Sequence, residues 1–447
     1  MVAFSGVVGY SFKSFPSLAN FRREHFQSNA NTKRNMNKEI LQRLMDVHIS
    51  ALFPGIEVKS GSGNSLQRKQ AVFSRGQSEI RIKEVEGTSF LISRAQPFTS
   101  QELQIINDIV SITEEYSDLP FSTQIHLSGG SLGRMVARSL TTSDANDKYQ
   151  GLISFVVETL EKWSAQTYEG SRIASSIGID PATGSNESQF EVFAKEDFAK
   201  VISNGYDTLV EFDQMGGLRG HKALDTSSIT RDAPFRYSAF SAYTENSEKL
   251  AFVLNRNGEI LVFKNGALFF AKRRGEWKLF THKSIIKQLA FGSRKTLPSL
   301  QDSVYESALD VSFARCGGCI CVVQKSRLGK FLKSSILKPE DILKSKSNAK
   351  TYTLLKSIGA NKFQNLDRRI RQEMLGIDGA TILDHEGSII TAGAILNISQ
   401  ENKSSATGGA RLAAARELSK YGLSLKISAD GEIRAIGNEG GTEFRFG

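Results

Sequence analysis

The sequence lacks the long apolar segment that a membrane-spanning helix needs. No run approaches roughly 18 consecutive apolar residues, the length that indicates a spanning helix. The chain opens with the apolar stretch MVAFSGVVGY, but no charged segment precedes it, as a secretory signal would require. We therefore expect no membrane partner for this protein.

Cysteine is scarce and confined to one place. The 447 residues contain three, Cys316, Cys319 and Cys321, all in RCGGCICVV. A zinc site needs four ligands, and the nearest histidine in the sequence, His282, is distant. The run is rich in Val and Ile, which favours a buried strand over a metal site, so no structural zinc is expected. An odd number of thiols without a secretion signal indicates a reducing cytoplasm.

The sequence also lacks a concentrated basic segment. Its net charge is +10, yet no run of five or more basic residues occurs. A spread of Lys and Arg does not favour nucleic acid as a partner, and it suits the phosphates of a small ligand equally well.

Length and residue patterns divide the chain into three regions. At 447 residues it exceeds one ordinary core, and 40% hydrophobic with 23% charged residues is typical of a globular protein. We predict a mixed α+β N-terminal region of unknown role at 1–225. A β-meander with a helix follows at 226–298, and it can belong to the C-terminal unit. We predict an α/β domain at 299–447.

The local patterns behind this division are periodic. Helical spacing occurs at 35–49 and 149–166, alternation typical of strands at 70–95, and a Thr-Ser-x-Glu capping pattern begins a helix over 98–118. Between 237 and 280, RNG, KNG and RRGE separate short apolar runs, which predicts hairpins.

Residues 299–447 alternate between helical and strand patterns. A helix at 283–292 and a Leu-Pro break at 297–298 precede them. Predicted helices are SLQDSVYESALDVSFAR, AKTYTLLKSIGA, FQNLDRRIRQEML and ARLAAARELSKYG, and predicted strands are GCICVVQ, ATILD, SIITAGAIL, LSLKIS and EIRAIG. This order predicts a mixed sheet flanked by helices.

Two segments of this domain suggest a nucleotide pocket. IDGATILDHEG occupies 377–387, and ATGGARLAAARELS occupies 406–419. A carboxylate at a strand end can hold Mg²⁺ against a triphosphate, and the amides that open a helix suit a phosphate. In the alternative interpretation Asp378 only ends a strand and Arg411 is a solvated residue of an Ala-rich helix.

With this order of elements, residues 299–437 resemble the diadenylate cyclase (DAC) domain, the nucleotide-binding domain of the DNA-integrity scanning protein and its relatives. The resemblance implies that Asp378 supports a divalent metal, Mg or Mn, and the attacking ribose hydroxyl. It also matches the family's Gly-Thr-Arg-His-Arg motif to residues 409–413. The implied nucleotide-binding residues are Asp378, Gly379, Ala380, Gly408, Gly409, Arg411 and Ser428.

The second motif departs from the family at three positions. Ala410, Leu412 and Ala413 stand where the motif has Thr, His and Arg. Losing one preorganised donor costs about 2.7–4 kcal/mol of transition-state stabilisation, by analogy with oxyanion holes. We therefore interpret the domain as a binding module first, a sensor of an adenine nucleotide such as ATP or of a cyclic dinucleotide. The alternative is an active cyclase that makes cyclic di-AMP from two ATP molecules in a homodimer.

Overall fold

The computed structural model of the protein describes residues 44–62, 78–83, 88–94, 96–114, 132–141, 147–181, 189–289, 297–343, 353, 356–359, 361–398, 409–437 and 443–447. Within these ranges, no helix combines the length and the apolar character needed to cross a bilayer. The predicted helix at 349–360 and the start of the one at 35–49 fall largely outside them.

Nine helices of five or more residues are labelled here, within the described ranges. They are α1 Ser100–Glu114, α2 Asp147–Ser164, α3 Phe190–Lys195, α4 Ser238–Thr244, α5 His282–Gln288, α6 Pro298–Ala314, α7 Leu328–Leu332, α8 Arg368–Gly376 and α9 Ala410–Ser419. Residues 132–140 are also helical. The predicted N-terminal helix is represented by a π-helical turn, Leu44–Ile49, that continues into Ser50–Leu52.

The strands form three sheets and one two-residue ribbon. They are β1 Glu57–Ser62, β2 Glu79–Lys83, β3 Thr88–Ser93, β4 Thr167–Tyr168, β5 Ser171–Arg172, β6 Ser175–Asp180, β7 Thr208–Asp213, β8 Leu218–Ala223, β9 Leu250–Leu254, β10 Ile260–Lys264, β11 Ala267–Arg273, β12 Glu276–Leu279, β13 Gly318–Val323, β14 Ala380–Leu383, β15 Ile389–Ala394, β16 Gly422–Ile427, β17 Ile433–Ile436 and β18 Glu443–Phe446.

The two large sheets are mixed. The seven-stranded sheet has the order β12-β11-β10-β9-β6-β7-β8, and the six-stranded sheet has the order β15-β14-β13-β16-β17-β18. In each, a single pair among the described strands is parallel, β6 with β7 and β13 with β14. A small sheet has the order β1-β3-β2. The predicted α/β class, with a mixed sheet flanked by helices, is confirmed.

The predicted meander is present as β9 to β12, and its turns explain its register. Asn265 and Gly266 both have positive φ, as do Arg274 and Gly275, which is the backbone of a type I′ hairpin turn. Strand β9 also pairs with β6, so the seven-stranded sheet takes strands from both sides of position 225.

One part of the meander prediction is wrong. Residues Ser238–Thr244 form helix α4, where the sequence stretch was expected to be extended. The aromatic residues at 237, 240 and 243 recur every three positions, which places them near one face of a helix. Phe240 is fully buried and stacks on Phe263 of β10, with ring centroids 5.9 Å apart.

The predicted capping pattern at the start of α1 is confirmed. The Glu102 carboxylate accepts the amide of Thr99 at 2.7 Å, and the Thr99 hydroxyl accepts the amide of Glu102 at 3.2 Å. Arg94 donates two hydrogen bonds to the same carboxylate, at 2.7 and 2.6 Å, and both side chains are fully buried. One glutamate therefore caps the helix and neutralises a buried arginine.

Strand β13 is buried on both faces by two different cores. Cys319, Cys321 and Val323 belong to a cluster that contains Leu412, Ala415 and Leu418 of α9. Ile320 and Val322 belong to a cluster that contains residues of α6, α8 and the seven-stranded sheet. The six-stranded sheet is thus covered by α9 on one side and by α6 and α8 on the other.

A buried ion pair joins α6, α8 and the segment before α4. Arg368 donates to both carboxylate oxygens of Asp310, at 2.7 and 2.9 Å, and to the carbonyl oxygens of Thr230 and Ala233. The amide of Phe235 donates to Asp310 at 2.7 Å. The side chains of Arg368 and Asp310 are 6% and 0% exposed. If either partner were lost, water could not solvate the charge that remains.

Removing the carboxylate of this pair should destabilise the protein strongly. Asp310→Ala leaves a buried guanidinium without a counter-ion, and we expect a loss of about 3–5 kcal/mol in the free energy of unfolding. Glu191→Ala is the matched control, because Glu191 and Lys195 pair at 3.0 Å on an exposed helix surface. The control should cost no more than about 0.5 kcal/mol. Urea unfolding measures both, and similar losses would contradict the assignment.

The cysteines of β13 should differ sharply in reactivity from Cys316. Burial raises the pKa of Cys319 and of Cys321 to about 12, so neither forms the reactive thiolate at neutral pH. Cys316 is exposed. A thiol reagent such as Ellman's should label one cysteine quickly in the native protein and the other two after denaturation. Cys316→Ser should remove the fast phase. Stoichiometric zinc that disappears when the three cysteines are replaced would overturn the prediction of structural thiols.

Candidate functional site

The topology of the six-stranded sheet brings four chain segments to one edge. Because β13 and β14 are parallel, the residues that precede them, Gly317 and Gly379, lie at the same edge of the sheet. Strand β16 is antiparallel to β13 and pairs Ile427 with Gly318, so its last residue reaches that edge too. Helix α9 leads into β16 and packs against β13 and β16, which places the start of the helix there.

At this edge Asp378 and Arg411 form an open ion pair. Arg411 Nη2 lies 3.7 Å from Asp378 Oδ1, beyond hydrogen-bond distance. The Asp378 side chain is 88% exposed and the Arg411 side chain 36% exposed. Asp378 precedes β14 and Arg411 is in the first turn of α9. The carboxylate is therefore free to turn toward a ligand, whereas the guanidinium is partly enclosed.

The guanidinium of Arg411 packs closely against Gly317. A methyl group added at Gly317 would lie 2.9 Å from Arg411 Nη1 and 3.3 Å from Cζ. Gly317 also has a φ of +70°, which few other residues adopt. Arg411 Nε is buried, and it has no hydrogen-bond partner in the described part of the chain. The guanidinium thus packs against the loop through its buried part, and only the remainder of the side chain, which is 36% exposed, can meet a ligand.

Gly379 and Ala380 have a packing role in the sheet. Gly379 has a φ of +107°, and a methyl group there would lie 2.6 Å from the carbonyl carbon of Gly393 in β15. Ala380 is 1% exposed and faces the core under α9. Their contact with a base or ribose stays a prediction.

Of the other predicted site residues, the structure describes Gly409 and Ser428. Gly409 precedes α9 with a φ of +83° and is exposed, and no described residue lies within 4 Å of the position that a Cβ there would take. Gly408 falls outside the described residues. Ser428 follows β16, accepts a hydrogen bond from Lys426 Nζ, and begins a turn closed by Gly431 N to Ser428 O at 2.9 Å. A methyl group on Gly317 would also lie 3.2 Å from the amide nitrogen of the next residue, Ala429.

The three positions that depart from the family motif have different surroundings. Ala410 is exposed at the helix start. Leu412 and Ala413 are each 3% exposed, and Leu412 packs with Cys319 and Cys321. In this protein the side chain at 412 therefore belongs to the core under α9, and the side chain at 413 is buried.

The residues present suit a metal ion that arrives with a ligand. No group of three or more His, Cys, Asp or Glu side chains within the described ranges is arranged to hold a metal ion. Asp378 offers one exposed carboxylate. Mg²⁺ in nucleotide sites is commonly bound by one or two carboxylates together with phosphate oxygens and water. Asp378 fits that role and does not fit a resident, fully coordinated metal.

The sequence interpretation missed the loop Arg315–Gly317. Its segment, RCGG, was interpreted only through its cysteine. In the structure, Gly317 packs against Arg411, and Gly318 lies close to Leu375 O of α8. A pair of glycines between a helix and a buried strand was the available signal, since it marks close backbone approach.

Comparisons with known proteins give matches among solved structures alone. No protein-family model matches the chain, and no curated protein matches it. Among solved structures, a crystal structure of DacA from Staphylococcus aureus, a double mutant, is 19% identical. The match covers 36% of this chain and 88% of that chain, with a TM-score of 0.22. At this identity and score it says nothing about ligand, activity or partners.

Proposed function

We propose that the C-terminal domain binds an adenine nucleotide or a cyclic dinucleotide and acts as a sensor with little or no cyclase activity. The observation that carries this proposal is the environment of Arg411. Its guanidinium is partly enclosed, its Nε is buried without a hydrogen-bond partner among the described residues, and its nearest carboxylate there is 3.7 Å away. An arginine held in this way can accept an anionic ligand without first losing a strong internal hydrogen bond.

A phosphate is the anion that this arrangement suits best. The amides of Leu412 and Ala413 donate to Gly409 O, so the start of α9 offers a phosphate the amides of Ala410 and Arg411, at the positive end of the helix dipole. Arg411, in the first turn, adds a planar donor pair that matches two phosphate oxygens. Gly409 has no side chain to cover these amides, and no described residue lies within 4 Å of the position that a Cβ there would take. The start of α9 and the Arg411 guanidinium together would form a binding site for one phosphate group.

Asp378 has a second role in this proposal. A phosphate on Arg411 would lie close to the Asp378 carboxylate and would be repelled by it. The charge neutralisation that would remove this repulsion would come from a divalent Mg or Mn ion carried by the nucleotide. Asp378 would hold that ion with its exposed oxygens. Nucleotide binding should therefore depend on the metal through Asp378.

The buried positions at 412 and 413 argue for binding over catalysis. In the family motif these positions carry His and Arg, whereas here Leu412 packs in the core beneath α9 and Ala413 is buried. Arg411 and backbone amides alone would thus be left to bind and neutralise a leaving pyrophosphate. This supports a sensor; the homodimer, the cytoplasmic location and the identity of the ligand stay predictions.

Arg411→Ala should weaken binding of ligands that carry a phosphate. We expect a loss of about 1.5–3 kcal/mol, roughly 10- to 150-fold in the Kd for ATP with Mg²⁺, because one charge-assisted contact is removed. Adenosine should bind the variant and the natural protein equally. Arg416→Ala is the matched control, since it removes a positive charge from the last turn of the same helix. Calorimetric titration measures each Kd.

Other outcomes of the same titrations discriminate between the hypotheses. Binding of cyclic di-AMP in place of ATP would identify a cyclic-dinucleotide sensor. Asp378→Asn should remove the dependence of nucleotide binding on metal. If no adenine nucleotide binds or raises the melting temperature, both the sensor and the cyclase hypotheses are wrong.

Leu412→His should not restore a cyclase. The imidazole would replace a buried leucine, and we expect a loss of about 2–5 kcal/mol in the free energy of unfolding from lost packing and an unsatisfied polar group. Incubation with labelled ATP and Mn²⁺, followed by thin-layer separation, should show no cyclic di-AMP from either protein. Robust product from the natural sequence, abolished by Asp378→Asn, would establish the cyclase instead.

A further inference from the structure

The loop that supports Arg411 begins with an arginine in an unfavourable backbone conformation. Arg315 follows α6 with φ and ψ of 60° and 25°, the left-handed region. The amides of Arg315 and Cys316 donate to Ser312 O and Val311 O, each at 3.3 Å, which closes the helix as glycine usually does at this position. For a residue with a Cβ, this conformation costs about 1–2 kcal/mol. The side chain of Arg315 must therefore supply a compensating interaction.

That interaction comes from the seven-stranded sheet. Arg315 Nη2 donates to Glu259 Oε1 at 2.5 Å, and Nη1 donates to the carbonyl oxygen of Asp430. Glu259, which precedes β10, is 1% exposed and accepts from Asn255 Nδ2 at 2.8 Å. One buried carboxylate of the neighbouring sheet thus fixes the loop at the edge of the six-stranded sheet.

The same carboxylate fixes the second segment of the edge through Arg273. Arg273 Nε donates to Glu259 Oε1 at 2.5 Å. Its Nη1 donates to Ser312 Oγ at 2.8 Å and to Gly431 O at 3.2 Å, and its Nη2 donates to Ser312 O at 3.2 Å. The end of α6 and the turn at 428–431 are therefore held together around Glu259.

These contacts end at the candidate site. Two residues after Arg315, Gly317 lies against the Arg411 guanidinium, and Ala429 of the turn lies on the same side of Gly317. The position of the guanidinium depends on where this loop and this turn are held. We propose that Arg315 is a positioning residue for Arg411, and that Glu259 makes this positioning depend on the seven-stranded sheet. The proposal rests on the nucleotide-binding function proposed for Arg411.

Arg315→Gly in the full chain separates this role from a merely structural one. Glycine adopts the left-handed conformation without cost, so a residue that only ends the helix would be replaced with no loss of stability. If Arg315 positions Arg411, the variant keeps its melting temperature but binds ATP with Mg²⁺ about 2- to 30-fold more weakly, as residues that act through intermediates do. Arg315→Lys should recover part of the affinity. Glu169→Gly is the control, because Glu169 is also left-handed and lies in the β4–β5 turn.

A measurement without ligand keeps this inference apart from the proposed function. In Arg315→Gly, and in Glu259→Gln, Cys316 should react faster with iodoacetamide. Hydrogen exchange should accelerate at the amides of Leu412 and Ala413, which donate to Gly409 O in the first turn of α9. Glu169→Gly should change neither rate.

Hydrogen exchange and ATP affinity together decide between the inference and the proposed function. Faster exchange at 412–413 in both variants supports positioning even if the natural protein binds no adenine nucleotide, a result that would defeat the proposed function alone. Unchanged exchange in Arg315→Gly overturns the inference whether or not ATP binds. Faster exchange with undiminished ATP affinity also overturns it, because the loop would then not position Arg411 for the ligand.

Discussion

The burial of β13 on both faces is the constraint on which the candidate site depends. Its side chains alternate between the core under α9 and the core shared with α6 and the seven-stranded sheet. Strand β13 pairs in parallel with β14 and antiparallel with β16, so it fixes where both of those strands begin and end. Asp378, Arg411 and Ser428 belong to three elements packed on this one strand. A shift of β13 would move all of them together.

The two large sheets are joined by apolar packing and by buried charges whose costs and benefits differ. Apolar contact supplies most of the stabilisation, because it requires no special geometry. Burying the pairs Arg368–Asp310 and Arg273–Glu259 removes four charges from water. The attraction within each pair offsets this desolvation cost only when the two side chains meet in the right geometry. Such pairs add little net stability but penalise any other docking of the sheets. The edge that carries the candidate site lies beside the Arg273–Glu259 pair, which therefore helps to fix the position of its loops.

Local chemistry accounts for the elements that were predicted correctly. The hairpins at Asn265-Gly266 and Arg274-Gly275 need residues that accept positive φ, and the capping box of α1 needs only residues 99–102. Helix α4 was not predicted because the hairpin signals RNG, KNG and RRGE all lie after residue 250 and carry no information about Ser238–Thr244. Strand β18 was missed because four residues, EFRF, carry too little pattern, and its pairing with β17 is a tertiary contact.

The sequence by itself determined the α/β class and the buried character of the Cys-rich strand, since both rest on residue type and periodicity within a short window. The choice of Asp378 and Arg411 as candidate site residues came from two short motifs and their resemblance to the DAC domain. Only the tertiary structure decided that Asp378 and Arg411 lie 3.7 Å apart, that Leu412 packs in the core and Ala413 is buried, and that Gly379 admits a neighbouring strand. It alone revealed that Arg315 connects Glu259 to the loop beneath Arg411. These facts depend on contacts between segments far apart in the chain, whose register and docking are chosen by packing and charge burial across the whole fold, not by any local pattern.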